Sequence, residues 1–210
     1  MDIRKVAVIG AGVMGAGIAA HVTNAGIPLV LLDIVPPNAS DRSVIAKTAV
    51  EKMLKTEPAP FMHPKNAKLI TAGNIEDDLG LLADCDWIIE AIVERLDIKQ
   101  ALYHKLENVR RADAIVSSNT SSIRLSTLMA GMPDSFQQHF LITHFFNPPR
   151  YMRLLEIAVG EQTKPEVVDT ISQFCDVKLG KGVVFTNDTP GFIANRINVY
   201  PAKWRSIRRF

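Results

Sequence analysis

Cysteine is scarce: only Cys85 and Cys175 occur in 210 residues, and they lie far apart. Two such residues cannot build a disulfide framework, and neither sits in a metal-ligand spacing, so a reduced, cytoplasmic compartment and no metal centre are expected. Charge is missing from one long stretch, since Val6 to Leu32 contains no Asp, Glu, Lys or Arg. With Arg4 and Lys5 in front, this run imitates a signal peptide or a membrane span. Yet Gly10, Gly12, Gly15, Gly17, Gly26 and Pro28 interrupt it, and His21, Thr23 and Asn24 make its middle polar. A buried strand–helix–strand explains the same residues, and no membrane segment is expected. Acids are absent from the last eight positions, which hold Lys203, Arg205, Arg208 and Arg209. Without those four the net charge of +2 falls to about −2, so the body is slightly acidic and no nucleic-acid partner is expected.

What is present is ordinary globular material, with 47% apolar and 22% charged residues. The length gives room for one good-sized core, or for one domain and the beginning of another. Short β-branched runs at 5–10, 28–33, 86–91, 114–118, 140–145, 154–159 and 182–185 read as strands, with a further short one at 68–71. Helical patterns fall between them, at 15–22, 43–55, 79–83, 96–109 and 125–130. Thr163-Lys-Pro-Glu166 reads as a capping box opening one more helix, which Gly180 closes. Strands alternating with helices predict an α/β fold: a Rossmann-like, doubly wound, mainly parallel sheet with helices on both faces.

The first strand runs straight into Gly10-Ala11-Gly12-Val13-Met14-Gly15 and then a helix. In this setting the first glycine makes a tight turn, the second lets the backbone approach a pyrophosphate, and the third packs helix on strand. Unpaired amides and the positive dipole at the helix N-terminus favour phosphates. Asp33 ends the second strand 18 residues after Gly15, where an acid that hydrogen-bonds a ribose 2′-hydroxyl belongs. Ile34 and Val35 offer no arginine for a 2′-phosphate, so NAD is expected rather than NADP.

In open α/β sheets ligands gather at the carboxyl ends of strands. The polar residues collect there: Glu90 and Glu94 after the 86–91 run, Ser117 to Ser122, His144 and Asn147, and Asp188-Thr-Pro-Gly191. His144 ends one apolar run and Glu156 lies inside the next, across an Asn-Pro-Pro turn. Neighbouring strands would set the two side by side, the geometry of a general base and its orienting carboxylate. A lone His–Glu pair is more commonly structural; the surrounding polar edge makes this one a candidate for chemistry.

Five segments carry a resemblance: the glycine loop, Glu90-Ala-Ile-Val-Glu94, Ser118-Asn-Thr-Ser-Ser122, His144-Phe-Phe-Asn-Pro148 and Asp188-Thr-Pro-Gly-Phe-Ile-Ala-Asn-Arg196. In order and spacing they resemble the L-3-hydroxyacyl-CoA dehydrogenases of fatty-acid β-oxidation, over about residues 3 to 197. The resemblance implies an NAD-dependent oxidoreductase acting on acyl-CoA. It implies that Gly10 to Gly15 hold the pyrophosphate, that Asp33 holds the adenosine ribose, and that Glu94, Lys99 and Asn147 line the rest of the NAD site. It further implies His144 as the general base, Glu156 fixing its imidazole, and Ser121 and Asn195 bonding the reacting oxygen or the nicotinamide.

The pattern breaks after Ile197, where the family continues into a helical domain that shapes the acyl pocket and usually makes the dimer. Here the sequence turns basic, with Pro201 inside what should be a helix. The expectation is an NAD-binding unit at 1–187 and, at 188–210, the start of a truncated helical domain with a divergent tail. Asn187 also stands where a lysine is common, and no CoA-contacting lysine is assigned in the helix from Ser43. Two classes follow: a dehydrogenase, acting alone, as a homodimer or with a separately encoded helical partner, or an NAD-holding module without turnover. A dehydrogenase of free β-hydroxy acids is a more distant option, which the His-Phe-Phe-Asn-Pro segment argues against.

Overall fold

The computed structural model describes residues 2–197. Lys203 to Arg209 and Pro201, which carried the expectation of a divergent tail, lie outside them. The elements run β1 (Val6–Ile9), α1 (Val13–Asn24), β2 (Leu29–Asp33), α2 (Val44–Met53), β3 (Ile70–Asn74), β4 (Trp87–Glu90), α3 (Leu96–Glu107) and β5 (Ile115–Ser118). They continue with α4 (Leu125–Leu128), α5 (Asp134–Gln137), β6 (Phe140–Phe145), β7 (Leu154–Val159), α6 (Pro165–Val177) and β8 (Gly182–Thr186).

All eight strands form one sheet in the order β3-β2-β1-β4-β5-β6-β7-β8. The first six in that order are parallel, β7 runs antiparallel to β6, and β8 runs parallel to β7. This is the Rossmann-like, mainly parallel sheet that the strand–helix alternation predicts. Its chain order reverses between β1 and β4, which opens a crevice above their carboxyl ends.

Successive side chains of a strand point to opposite faces, so each continuous apolar run feeds two cores. Val6, Val8, Leu29, Leu31, Trp87 and Ile89 meet Ile18 and Val22 of α1 and Ile171 and Phe174 of α6. Ala7, Ile9, Val30, Leu32, Ile88 and Val116 meet Leu102 and Leu106 of α3 and Phe136 of α5. Burying one large apolar side chain is worth about 1.5–3 kcal/mol, so these two layers are what hold the sheet between helices. Trp87 illustrates the fit: its ring meets Phe174 edge-on at 5.9 Å, and its Nε1 donates to Ser117 Oγ at 2.9 Å.

Two local expectations shift. The strand expected at 68–71 begins at Ile70, because Pro64–Leu69 winds into a 3-10 helix first. The brief helix expected at 79–83 forms as 3-10 over Leu79–Asp84. Thr163 does not cap α6: its hydroxyl donates to Phe140 O at 2.7 Å and accepts from Gly160 N at 3.0 Å, leaving Lys164 as the N-cap residue. Gly180, at φ +63°, does turn the chain out of that helix. No helix among the described residues is long and apolar enough to cross a membrane.

Candidate active site

The glycine loop joins β1 to α1 at the crevice. Gly10 takes φ +102°, and a Cβ there would lie 2.5 Å from the Ala91 carbonyl oxygen. A Cβ on Gly15 would fall 1.8 Å from the Gly10 oxygen, so helix and loop touch through backbone alone. Gly12 has nothing within 4 Å of where its Cβ would be, which leaves the backbone open to a ligand. The first turn of α1 carries neither an acid nor a side-chain cap, so its amides are available to an anion. Asp33 Oδ2 accepts from Ala11 N at 2.5 Å and Oδ1 from Ile34 N at 2.7 Å. The carboxylate thus braces the loop, and each oxygen keeps a lone pair for a hydroxyl. A groove of about 700 Å³ runs from Gly10 and Gly12 past Asp33 and Ile34 to Ile92 and Ala101.

A second groove, of about 580 Å³, continues over the other side of the loop. Gly12, Val13, Met14, Glu94, Ser121, His144, Asn147 and Asn195 all line it, so the structure brings these expected residues together. Antiparallel pairing of β6 and β7 sets His144 directly opposite Glu156. Nδ1 of His144 and Oε2 of Glu156 are 2.8 Å apart, with the histidine 6% and the glutamate 1% exposed. The other carboxylate oxygen accepts from the amides of Ile193 and Ala194, at 3.0 and 2.8 Å. An ionised Glu156 accepts, so Nδ1 carries the proton and Nε2 keeps its lone pair. Nε2 has no protein partner among the described residues. Phe146 and Phe192 pack on the imidazole, with centroids at 4.5 and 5.5 Å, and fix its plane.

Beneath the groove lies a polar network. Glu94 Oε1 accepts from the Thr120 hydroxyl, from the Ser121 and Ser122 amides at 3.1 Å each, and from Ser122 Oγ at 2.8 Å. Burial alone would raise the Glu94 pKa. The Thr120 and Ser122 hydroxyls, the Lys99 ammonium and the Ser121 amide outweigh it and hold that carboxyl below its ordinary value. Lys99, which the resemblance implies lines the NAD site, is 1% exposed. Its Nζ lies 2.6 Å from Glu90 Oε1 and 3.3 Å from Glu94 Oε2. Glu90 also accepts from Tyr103 OH and Ser118 Oγ, both at 2.7 Å. Lys99 therefore bears on the groove through Glu94.

Several contributors escape sequence reasoning. The Ile193 and Ala194 amides that anchor Glu156 have no side-chain signature. Asn119 Oδ1 accepts from Phe145 N at 2.8 Å, tying the serine loop to the end of β6, which carries His144. Asp188, whose Asp-Thr-Pro-Gly setting suggests a cap, caps a distant helix: it accepts from Leu125 N at 2.5 Å and from Ser126 N at 3.0 Å, at the start of α4.

The family model for the 3-hydroxyacyl-CoA dehydrogenase NAD binding domain matches residues 5–189. A probable 3-hydroxyacyl-CoA dehydrogenase of Deinococcus radiodurans is 54% identical over 200 residues, which cover 95% of this chain and 58% of that protein. A putative fatty acid oxidation complex trifunctional enzyme of Rickettsia felis is 49% identical over 199 residues, covering 95% of this chain and 28% of that one. Among solved structures, FadB2 of M. tuberculosis superposes with a TM-score of 0.82 at 30% identity, covering 99% of this chain and 72% of that one. The chain thus spans little more than half of the Deinococcus relative and under a third of the Rickettsia one.

Proposed function

The chain belongs to the 3-hydroxyacyl-CoA dehydrogenase family, whose NAD-binding domain it matches, and from that premise we propose that it oxidises (S)-3-hydroxyacyl-CoA to 3-oxoacyl-CoA in fatty-acid oxidation. The observation that carries the reading is His144, held by a carboxylate that two backbone amides anchor, with its second nitrogen free in the groove.

The residues present fit NAD. The open backbone at Gly12, the uncapped start of α1 and the lone pairs of Asp33 suit a pyrophosphate and a ribose. Bound NAD supplies the hydride acceptor for C3 of the substrate. His144 Nε2 takes the proton of the 3-hydroxyl in oxidation and returns it in reduction. Glu156 keeps Nδ1 protonated and offsets the charge of the imidazolium as it forms. Ser121 and Asn195 offer hydrogen bonds to the reacting oxygen or to the nicotinamide amide, and Asn147 and Glu94 shape the cofactor end. In this reading residues 1–187 are the NAD-binding unit.

The test is to mix the purified chain with acetoacetyl-CoA and NADH and to follow NADH absorbance. Steady loss of NADH that depends on acetoacetyl-CoA supports the dehydrogenase. NADH binding without turnover leaves a cofactor-holding module, and no binding overturns the reading.

A further inference from the structure

We infer that Lys181 is a positioning residue, whose buried ammonium holds the 147–152 turn in the shape that presents Asn147 and His144 to the groove. Its effect on cofactor affinity rests on the NAD reading above; its hold on the turn does not.

Lys181 is 2% exposed, and its Nζ donates to the carbonyl oxygens of Pro149 and, at 2.8 Å, Met152. Its ammonium also lies 5.6 Å from the centroid of the Phe145 ring, one residue past His144. The next residue, Gly182, donates its amide to Arg153 O at 2.8 Å. Two consecutive residues after α6 therefore fasten the middle and the far end of the turn. On its far side the turn leans on α1, since a Cβ on Gly17 would lie 2.8 Å from the Pro149 ring. Arg150 Nη1 completes the clamp by donating to the Ala59 and Phe61 carbonyls, at 2.6 and 3.0 Å.

A buried charge without a counter-ion is costly, and no carboxylate pairs with Lys181 among the described residues. A leucine or methionine would fill the same space without that cost, but would leave two carbonyls without a donor. The titratable groups around Lys181 are Cys175 on α6 and His21 on α1, which also feels Arg150 in the turn. Burial, helped by the Lys181 charge, lowers His21 to about 4, so it stays neutral. Burial pushes the Cys175 thiol up. Burial likewise lowers Lys181 itself to about 8.

The sign of the pH effect is informative. The ammonium is intact below about pH 8 and is lost as pH rises through that value, so the hold on the turn weakens there. The contribution of Lys181 to fold stability moves the other way, because above pH 8 the unfolded chain binds more protons at this lysine than the folded one. A role of this lysine in overall folding alone would not make cofactor affinity fall while that contribution rises.

The experiment measures NADH affinity by fluorescence, Tm, and hydrogen exchange of residues 145–153, from pH 7 to 9.5, in wild type, Lys181→Met and Lys181→Arg. Expected at pH 7 is about a tenfold weaker NADH affinity in Lys181→Met, from the loss of one or two hydrogen bonds. Exchange should quicken in the turn and stay unchanged in β1 and β4. Lys181→Arg, which keeps charge and donors, should restore both and abolish the wild-type decline above pH 8. Wild-type affinity and exchange in Lys181→Met overturn the inference. If that variant does not fold, a flat wild-type affinity across pH 8 overturns it instead. If wild type binds no NADH, the cofactor reading fails, and exchange in the turn alone decides the role of Lys181.

Discussion

Replacing Glu156 by glutamine changes almost no volume and one charge, which makes it an incisive probe of the histidine. The carboxylate holds three donors: Nδ1 of His144 at 2.8 Å, Ile193 N at 3.0 Å and Ala194 N at 2.8 Å. A glutamine has one acceptor oxygen, and its NH2 cannot face two amides that themselves donate. The oxygen must therefore turn to Ile193 and Ala194, which leaves the NH2 pointing at His144. To avoid two donors in opposition, Nδ1 must become the acceptor and the proton must move to Nε2. The nitrogen in the groove then has no lone pair with which to take a proton. An orienting acid exchanged for its amide in a hydrolase triad lowers turnover about 10⁴-fold by this route, and a loss of that order is expected here. Weakening three bonds to an ion into bonds to a neutral group costs about 3 kcal/mol. For a chain of this size that is a Tm drop of roughly 6–12 °C. Turnover of acetoacetyl-CoA, NADH affinity, a thermal melt and ¹⁵N spectra of the imidazole check each part. Turnover within tenfold of wild type, or a ring still protonated at Nδ1, would refute the reasoning.

Gly15→Ala forces a Cβ to within 1.8 Å of the Gly10 oxygen, so loop or helix must shift. An overpacking cost of about 1–3 kcal/mol is expected in a thermal melt, with NADH affinity at least about tenfold weaker; an unchanged affinity would show that the loop does not hold the cofactor. Asp188→Ala removes the acceptor for Leu125 N, Ser126 N and Ser126 Oγ. Loss of such a cap costs about 1 kcal/mol, seen as a Tm about 2–4 °C lower with NADH affinity kept. A Tm equal to that of wild type would contradict the capping role.

Most of the sheet was legible in the sequence because β1, β2, β4, β5 and β6 are short, mostly apolar runs whose odd and even residues are both buried. The side-by-side placement of His144 and Glu156 was legible for a related reason: two such runs flank a short Asn-Pro-Pro turn, which leaves them as neighbours. Long-range partners were not legible. Thr163 has the local pattern of a cap, but Phe140 O, 23 residues back, takes its hydroxyl. Nothing in the sequence singles out Lys181, and only the fold shows that it is buried on carbonyls about thirty residues back, while the burial of Lys99 on Glu90 likewise appears only in the fold. The anchors of Glu156 are backbone amides 37 and 38 residues away, and any residue type could supply them.

The central claim is that His144 moves the proton while the rest of the groove holds the cofactor. His144→Gln tests it most directly, with turnover of acetoacetyl-CoA and NADH affinity measured on the same sample. Turnover should fall by about 10²–10⁴-fold, the usual contribution of a general base, while NADH affinity stays within about twofold of wild type. Near-normal turnover in that variant would contradict the account.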